Sequence, residues 1–216
     1  MNRSCMNELS SSEWEKLTEN QLEIIESIRQ HYPVEVFALA KALGLSVSYE
    51  TLNGNISGKI INRDSVKSGF DVILNRKSDI ILSRFTLARA IGIYLLYPNL
   101  IGEAIADTYV NRTRLGEEID LKLNRFAYDI LMPVKLIREI SNEFNITFTE
   151  VFTKEFSDKL AVPSAAIKNY MYLTKEKQHL LGTDNADINE LKRLREENMR
   201  LKEALKTSLL IISDAL

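Results

Sequence analysis

Histidine is nearly absent from this chain of 216 residues: only His31 and His179 occur, and they lie far apart. A site that needs two or three imidazoles around one metal ion therefore cannot be assembled within one copy. Cysteine is scarcer still. Cys5 stands alone, so an internal disulfide and a cysteine metal cluster are both excluded, and Cys5 reads as an incidental thiol. Long apolar runs are missing too. The longest near the C-terminus covers residues 209–212, far short of the roughly 18 to 20 residues needed to cross a bilayer, so no membrane is expected. No charged-then-apolar leader precedes Cys5, and the expected location is the cytoplasm. Neither sign of charge dominates. With 28 Lys and Arg against 30 Asp and Glu and 45% hydrophobic residues, the composition describes a globular protein rather than a disordered tail or a polybasic nucleic-acid binder.

What is present is mostly helical periodicity. Over residues 13–30, Trp14, Leu17, Leu22, Ile25 and Ile28 recur near helical spacing with charges between them, which predicts one amphipathic helix ended by Pro33. Residues 34–43 read as a second helix stopped by Gly44, whose backbone tolerates a left-handed cap. The period then changes. Residues 45–52, 56–61 and 70–74 are β-branched and aromatic and are broken at 53–55 and 67–69, which predicts three short strands in a small, mostly antiparallel sheet with hairpin turns. Helical spacing returns over 80–97, where Phe85, Ala88, Ile91, Gly92, Leu95 and Leu96 share a face before Pro98, and a buried central helix is expected. Further helices are expected over 101–110, 117–132 and 134–144.

Residues 148–160 and 164–173 predict a helix pair around Ala161-Val162-Pro163, with Ser164 as N-cap. A helix-turn-helix and a two-helix lid both fit this pair. The acidic first helix, with only Lys168 and Lys175 on or near the second, favours the lid, and nucleic acid is not an expected partner. Residues 178–187 are polar and read as a linker. Over 188–216 a heptad frame places Leu191, Asn198, Leu205 and Ile212 at position a and Leu194, Leu201, Ser208 and Ala215 at d. Asn198 favours a parallel, in-register homodimer, because paired Asn side chains satisfy each other. Glu190 and Glu197 at g face Arg195 and Lys202 at e. The competing use of this segment is a single helix folded back on its own domain. The expected division of the chain is a flexible N-terminus at 1–12, a main domain at 13–140, a helical subdomain at 141–177, the linker at 178–187 and a dimerisation helix at 188–216.

The run from Arg84 to Tyr97, Arg-Phe-Thr-Leu-Ala-Arg-Ala-Ile-Gly-Ile-Tyr-Leu-Leu-Tyr, resembles the signature helix of the ImmA/IrrE family of zinc metallopeptidases, which commonly reads Arg-Phe-Thr-Leu-Ala-His-Glu-Leu-Gly-His-Tyr-Leu-Leu-His. Other stretches agree in order. Pro33-Val34-Glu35-Val36 with Ala40, Leu43 and Gly44 is similar to the family's opening helix, residues 56–60 and 71–75 to its two strands, and 124–133 to its second signature, Phe-Ala-x-x-Leu-Leu-Met-Pro. The resemblance spans about residues 20–175. It implies an α+β, zincin-like core with the small sheet packed on helices, followed by the helical subdomain and the coiled coil.

The chemistry implied by the resemblance fails at the residues that would perform it. In the active pattern two histidines four apart on a helix bind zinc, and the Glu after the first acts as general base on zinc-bound water. Those positions are Arg89, Ala90 and Ile93 here. Arginine stays protonated and repels a dication, alanine offers no base and isoleucine cannot ligate. The third ligand is a Glu in the stretch where this chain has Glu117, Glu118, Asp120 and Lys122. No metal, cofactor or catalytic activity is expected. Arg89 is expected in the emptied cleft, paired with a carboxylate near Asp120; the alternative is that it reaches solvent. No second catalytic set is visible: neither histidine sits in a nucleophile-elbow sequence, and Gly54, Gly58 and Gly69 are turn glycines.

Active members of the family cleave a transcriptional repressor of a phage, mobile element or stress response. A member that keeps the shape and loses the metal can keep the binding face. The resemblance with its missing ligands implies a pseudoenzyme that regulates by binding a protein partner such as a repressor. The competing readings are a metalloprotease with a non-standard metal site and a dimeric DNA-binding regulator.

Overall fold

Thr18 divides the amphipathic stretch that periodicity presents as one helix. Its hydroxyl accepts from the Gln21 N–H at 3.3 Å, and the Gln21 side chain accepts from the Thr18 N–H at 2.9 Å. This reciprocal capping box starts α1 (Glu19–Ile28). The residues before it, Ser12–Lys16, form a separate 3-10 turn. In the computed structural model the described residues are 12–53, 55–63, 69–106 and 117–175, together with 193, 197, 200 and 201. The expected flexible tail therefore lies outside them except for Ser12, which belongs to the 3-10 turn, and the linker lies wholly outside them.

A second helix, α2 (Val36–Ala42), ends where Gly44 turns left-handed at φ +84°, as its position after the last apolar residue predicts. Strands β1 (Ser46–Glu50), β2 (Ile56–Asn62) and β3 (Phe70–Asn75) follow at the expected places. A fourth strand corrects the expected helix at 101–110: β4 (Ala104–Ala106) pairs antiparallel with β2, and the sheet order is β1-β3-β2-β4. Three residues rich in alanine are too few to display a two-residue period. Gly102, at φ +106°, supplies the break, and its N–H donates to the Ile60 carbonyl at 2.7 Å. The β2–β3 pair is an antiparallel hairpin, whereas β1 runs parallel to β3 in the register Ser46↔Asp71 to Glu50↔Asn75. Apolar alternation reports which face of a strand is buried and carries no information about its neighbour, so this crossover is invisible to it.

Helix α3 (Ile80–Leu96) starts at Asp79, whose carboxylate accepts from the Leu82 N–H at 2.7 Å. Residues 83 to 93 are buried without interruption. The sequence predicts one buried face; sheet and helices instead cover this helix on all sides, and Leu95 and Leu96 at its end are only half-buried. Close approach depends on two glycines. A Cβ at Gly58 would lie 2.8 Å from Thr86 Cγ2 and 2.9 Å from the Ile73 carbonyl oxygen, so β2 rests directly on α3. A Cβ at Gly92 would lie 3.0 Å from Leu123 Cδ2 and 3.1 Å from Phe126 Cδ1, both on α4 (Glu117–Leu131).

Helices α5 (Val134–Phe144), α6 (Thr153–Leu160) and α7 (Ser164–Leu173) complete the described chain. The run expected as one helix at 148–160 opens instead with a 3-10 turn at Glu150–Phe152. Ser164 is not the cap of α7. Pro163 takes that position, and the Ser164 hydroxyl donates to Ser157 Oγ at 3.1 Å. One apolar cluster runs from Trp14 through α3 and α4 to Met171, so the helices on either side of residue 140 share an interior. Among the described residues no helix is long and apolar enough to cross a membrane.

Candidate functional site

The seam between α3 and α4 holds the residues singled out by the sequence. Arg89 is 1% exposed and its Nη2 donates to Asp120 Oδ1 at 2.8 Å, so it does not reach solvent. The close packing at Gly92 sets the distance between the helix axes that this reach requires. Ala90 and Ile93 are fully buried in the apolar cluster. Asp120 is itself buried. Burial pushes its carboxyl above the ordinary carboxylate range, and the charge and hydrogen bond of Arg89 pull the other way without cancelling that effect. The positive charge of Arg89 also acts on Tyr128, whose hydroxyl is nonetheless raised by burial against Phe85 and Tyr170.

The other candidate carboxylates are placed differently. Glu118 is exposed and accepts from Lys122 Nζ at 2.7 Å on the solvent side of α4. His31 is exposed at the end of the turn after α1, and His179 lies outside the described residues. The zinc implied by the resemblance does not fit positions 89, 90 and 93. They offer a cationic guanidinium already bound to a carboxylate, a methyl group and a branched alkyl chain, none of which donates a lone pair to a cation. Among the described residues no cluster of three or more His, Cys, Asp or Glu could hold a metal ion.

Sequence reasoning misses a second polar group on α4. Asp129 is buried, accepts from Trp14 Nε1 at 3.1 Å and lies 3.5 Å from Arg125 Nε. Arg29 Nη1 donates to the Asp129 carbonyl at 3.0 Å, with its guanidinium 4.5 Å from the centre of the Trp14 ring. Nearby, buried Glu13 accepts from the Tyr97 hydroxyl at 3.0 Å, and burial together with that bond pushes the phenol up to about 12. The available signal was an aspartate inside the apolar run from Phe126 to Met132.

Arg84 makes a third link. Its Nε donates to the Ala161 carbonyl at 3.1 Å and its Nη2 to the Val34 carbonyl at 2.7 Å, while burial lowers its proton affinity. One side chain of α3 thus fixes both the approach to α2 and the turn between α6 and α7. Leu191, Leu194, Asn198, Leu205 and Ile212, which the heptad pattern marks as expected dimerisation residues, lie outside the described residues. Leu201 is described, is helical and is 60% exposed, and Arg193, Glu197 and Arg200 are helical and exposed.

In comparisons with known proteins, no protein-family model matches this chain. No curated protein matches it either.

Proposed function

We propose that this chain is a catalytically inactive, ImmA/IrrE-like pseudo-metallopeptidase with a zincin-like core. It acts in the cytoplasm by binding another protein, a transcriptional repressor of a phage, mobile element or stress response, as a homodimer joined through residues 188–216. The observation that carries the reading is the buried Arg89–Asp120 pair. An active site of this type holds a dication between the signature helix and a carboxylate on the next helix. Here a permanently protonated guanidinium on α3 neutralises a carboxylate on α4. The cross-helix electrostatic link is kept without a Lewis acid or a general base, and the side chains around it pack as an apolar core. Such a domain keeps its outer surface for recognition while losing the reaction.

The test is the metal content of the purified, tag-free protein, measured together with its mass in solution by light scattering. The expected result is a dimer without stoichiometric metal. About one zinc per chain would overturn the pseudoenzyme reading, because a structural or catalytic zinc site binds a single ion tightly. Truncation after Asp187 separates the two halves of the proposal: the shortened protein should sediment as a monomer, and a persistent dimer would place the interface elsewhere.

A further inference from the structure

We infer that the open edge of β1 is a docking site for an extended segment of a partner protein, which joins the sheet as an added strand. The inference names how a protein partner of the kind proposed above is held and rests on that reading only for the existence of such a partner; metal content and oligomeric state leave the edge as it is. Strand β1 stands at one end of the order β1-β3-β2-β4, with β3 on one side and no described strand on the other. The Arg76 N–H donates to the Glu50 carbonyl at 2.8 Å, and this bond fixes the phase of the parallel ladder. In a parallel pair alternate residues of a strand turn both backbone groups to the neighbour, so Ser46, Ser48 and Glu50 face β3 while Val47 and Tyr49 face outward.

The outward groups are only partly satisfied. Just before the strand the Leu45 N–H is taken by the Ala40 carbonyl at 2.8 Å, and near its far end Arg76 Nη2 donates to the Tyr49 carbonyl at 2.9 Å. Among the described residues the Val47 N–H, the Val47 carbonyl and the Tyr49 N–H have no hydrogen-bond partner. Proteins usually blunt such an edge with lysine, proline or a bulge. The run Ser-Val-Ser-Tyr-Glu contains neither residue, and its register against β3 is unbroken. The side chains show the same incompleteness: Val47 is half-buried and Tyr49 is 40% exposed, although both lie on the side of the sheet that Gly58 turns to α3.

The edge selects its occupant. A strand laid against β1 repeats its alternation, placing β-branched or aromatic residues beside Val47 and Tyr49 and small polar ones beside Ser46 and Ser48. Charge contributes little, because Glu50, Asp71 and Asp79 offset Arg63, Arg76 and Lys77 around the edge, with Arg63 lying 3.2 Å from Asp71 and 3.4 Å from Glu50. A polyanion therefore finds no net positive charge, and main-chain hydrogen bonds supply the affinity. A second copy of β1 fits less well. Two-fold antiparallel pairing about Ser48 needs the Tyr49 carbonyl as acceptor at both ends, and Arg76 already holds it, whereas a foreign strand can use the two donors and one acceptor that remain.

The experiment is fluorescence anisotropy with the full chain and a labelled, end-capped peptide of about nine residues alternating valine with serine, the length of one strand. Saturable binding is expected, changing by less than about twofold between about 50 and about 200 mM salt because no charges are neutralised. Two further peptides carry methyl groups on the backbone nitrogens of either the valines or the serines. One of them should bind about tenfold more weakly than the other, since only one set of N–H groups faces β1. Val47→Pro deletes an outward donor that the ladder does not use, and should weaken binding about tenfold with the circular dichroism unchanged. Arg76→Ala frees the Tyr49 carbonyl as a second acceptor and should tighten binding severalfold, a gain that misfolding cannot give. No saturable binding, equal binding of the two methylated peptides, binding that Val47→Pro leaves unchanged or Arg76→Ala weakens, or self-association of the chain that Val47→Pro abolishes would each overturn the inference.

Discussion

Helix α4 carries two ion pairs of nearly equal length in opposite surroundings. On its inner side Arg89 and Asp120 meet at 2.8 Å with side chains 2% and 12% exposed; on its outer side Lys122 and Glu118 meet at 2.7 Å with side chains 42% and 81% exposed. Distance does not separate them, but the surroundings do. Water screens the outer pair and can replace either partner, so its net contribution is small. The inner pair has no such substitute. Forming it costs the desolvation of two charges, and removing one partner leaves the other stranded in an apolar interior. The inner pair is therefore a strong constraint on how α3 and α4 sit together, whatever its net contribution to stability.

The comparison is broken most directly by Arg89→Ala. Leaving Asp120 buried without its partner should cost about 3 to 5 kcal/mol, and a melting point lower by roughly 10 °C in a calorimetric scan is the expected reading. An unchanged melting curve would show that the pair constrains nothing. Arg89→Lys keeps the charge and gives up the planar donor fork, so an intermediate loss of about 1 to 2 kcal/mol is expected from the same scan.

A smaller effect is expected from pH. The folded-state pKa of Asp120 stands above its unfolded value, so the folded state takes up this proton more readily, and the contribution of the group to stability declines as pH rises through the window between the two values. Asp120→Asn removes that titration. The difference in melting temperature between the two proteins should therefore change across that window and stay constant above it; a difference that is flat throughout would mean that the carboxyl titrates normally. The smallest effect belongs to the outer pair. Lys122→Ala or Glu118→Ala should leave the melting temperature where it is, at low salt and at high salt alike.

The helices most legible in the sequence are those whose ends carry a chemical signal. Pro98 and Pro133 close α3 and α4 near the predicted residues, and Gly44 closes α2. The break at Thr18 was equally available, since Thr and Gln three apart is a capping box, but the apolar spacing on either side continues through it. Strand β4 and the parallel pairing of β1 depend on contacts between distant residues, to which local pattern is blind. At the candidate site, Arg89 drew attention because it stands where the signature helix of the resembling family carries its first histidine, and residues 117–122 offered few carboxylates as its partner. Asp129 escaped because its partners, Trp14 and Arg29, belong to segments about a hundred residues earlier in the chain.

Trp14 is the sole tryptophan, 1% exposed, with its ring 5.4 Å from Phe126 and its indole N–H on the carboxylate of Asp129. Tryptophan emission, excited selectively over that of the tyrosines, therefore has a single source, and that source sits in the short turn Ser12–Lys16 against α4. If that turn lifts away while the rest stays folded, the indole loses both its aromatic neighbour and its acceptor, and its emission moves to the red before any change in helical ellipticity. The natural chain thus carries an optical gauge of how its first described segment is seated, readable without a label or a substitution.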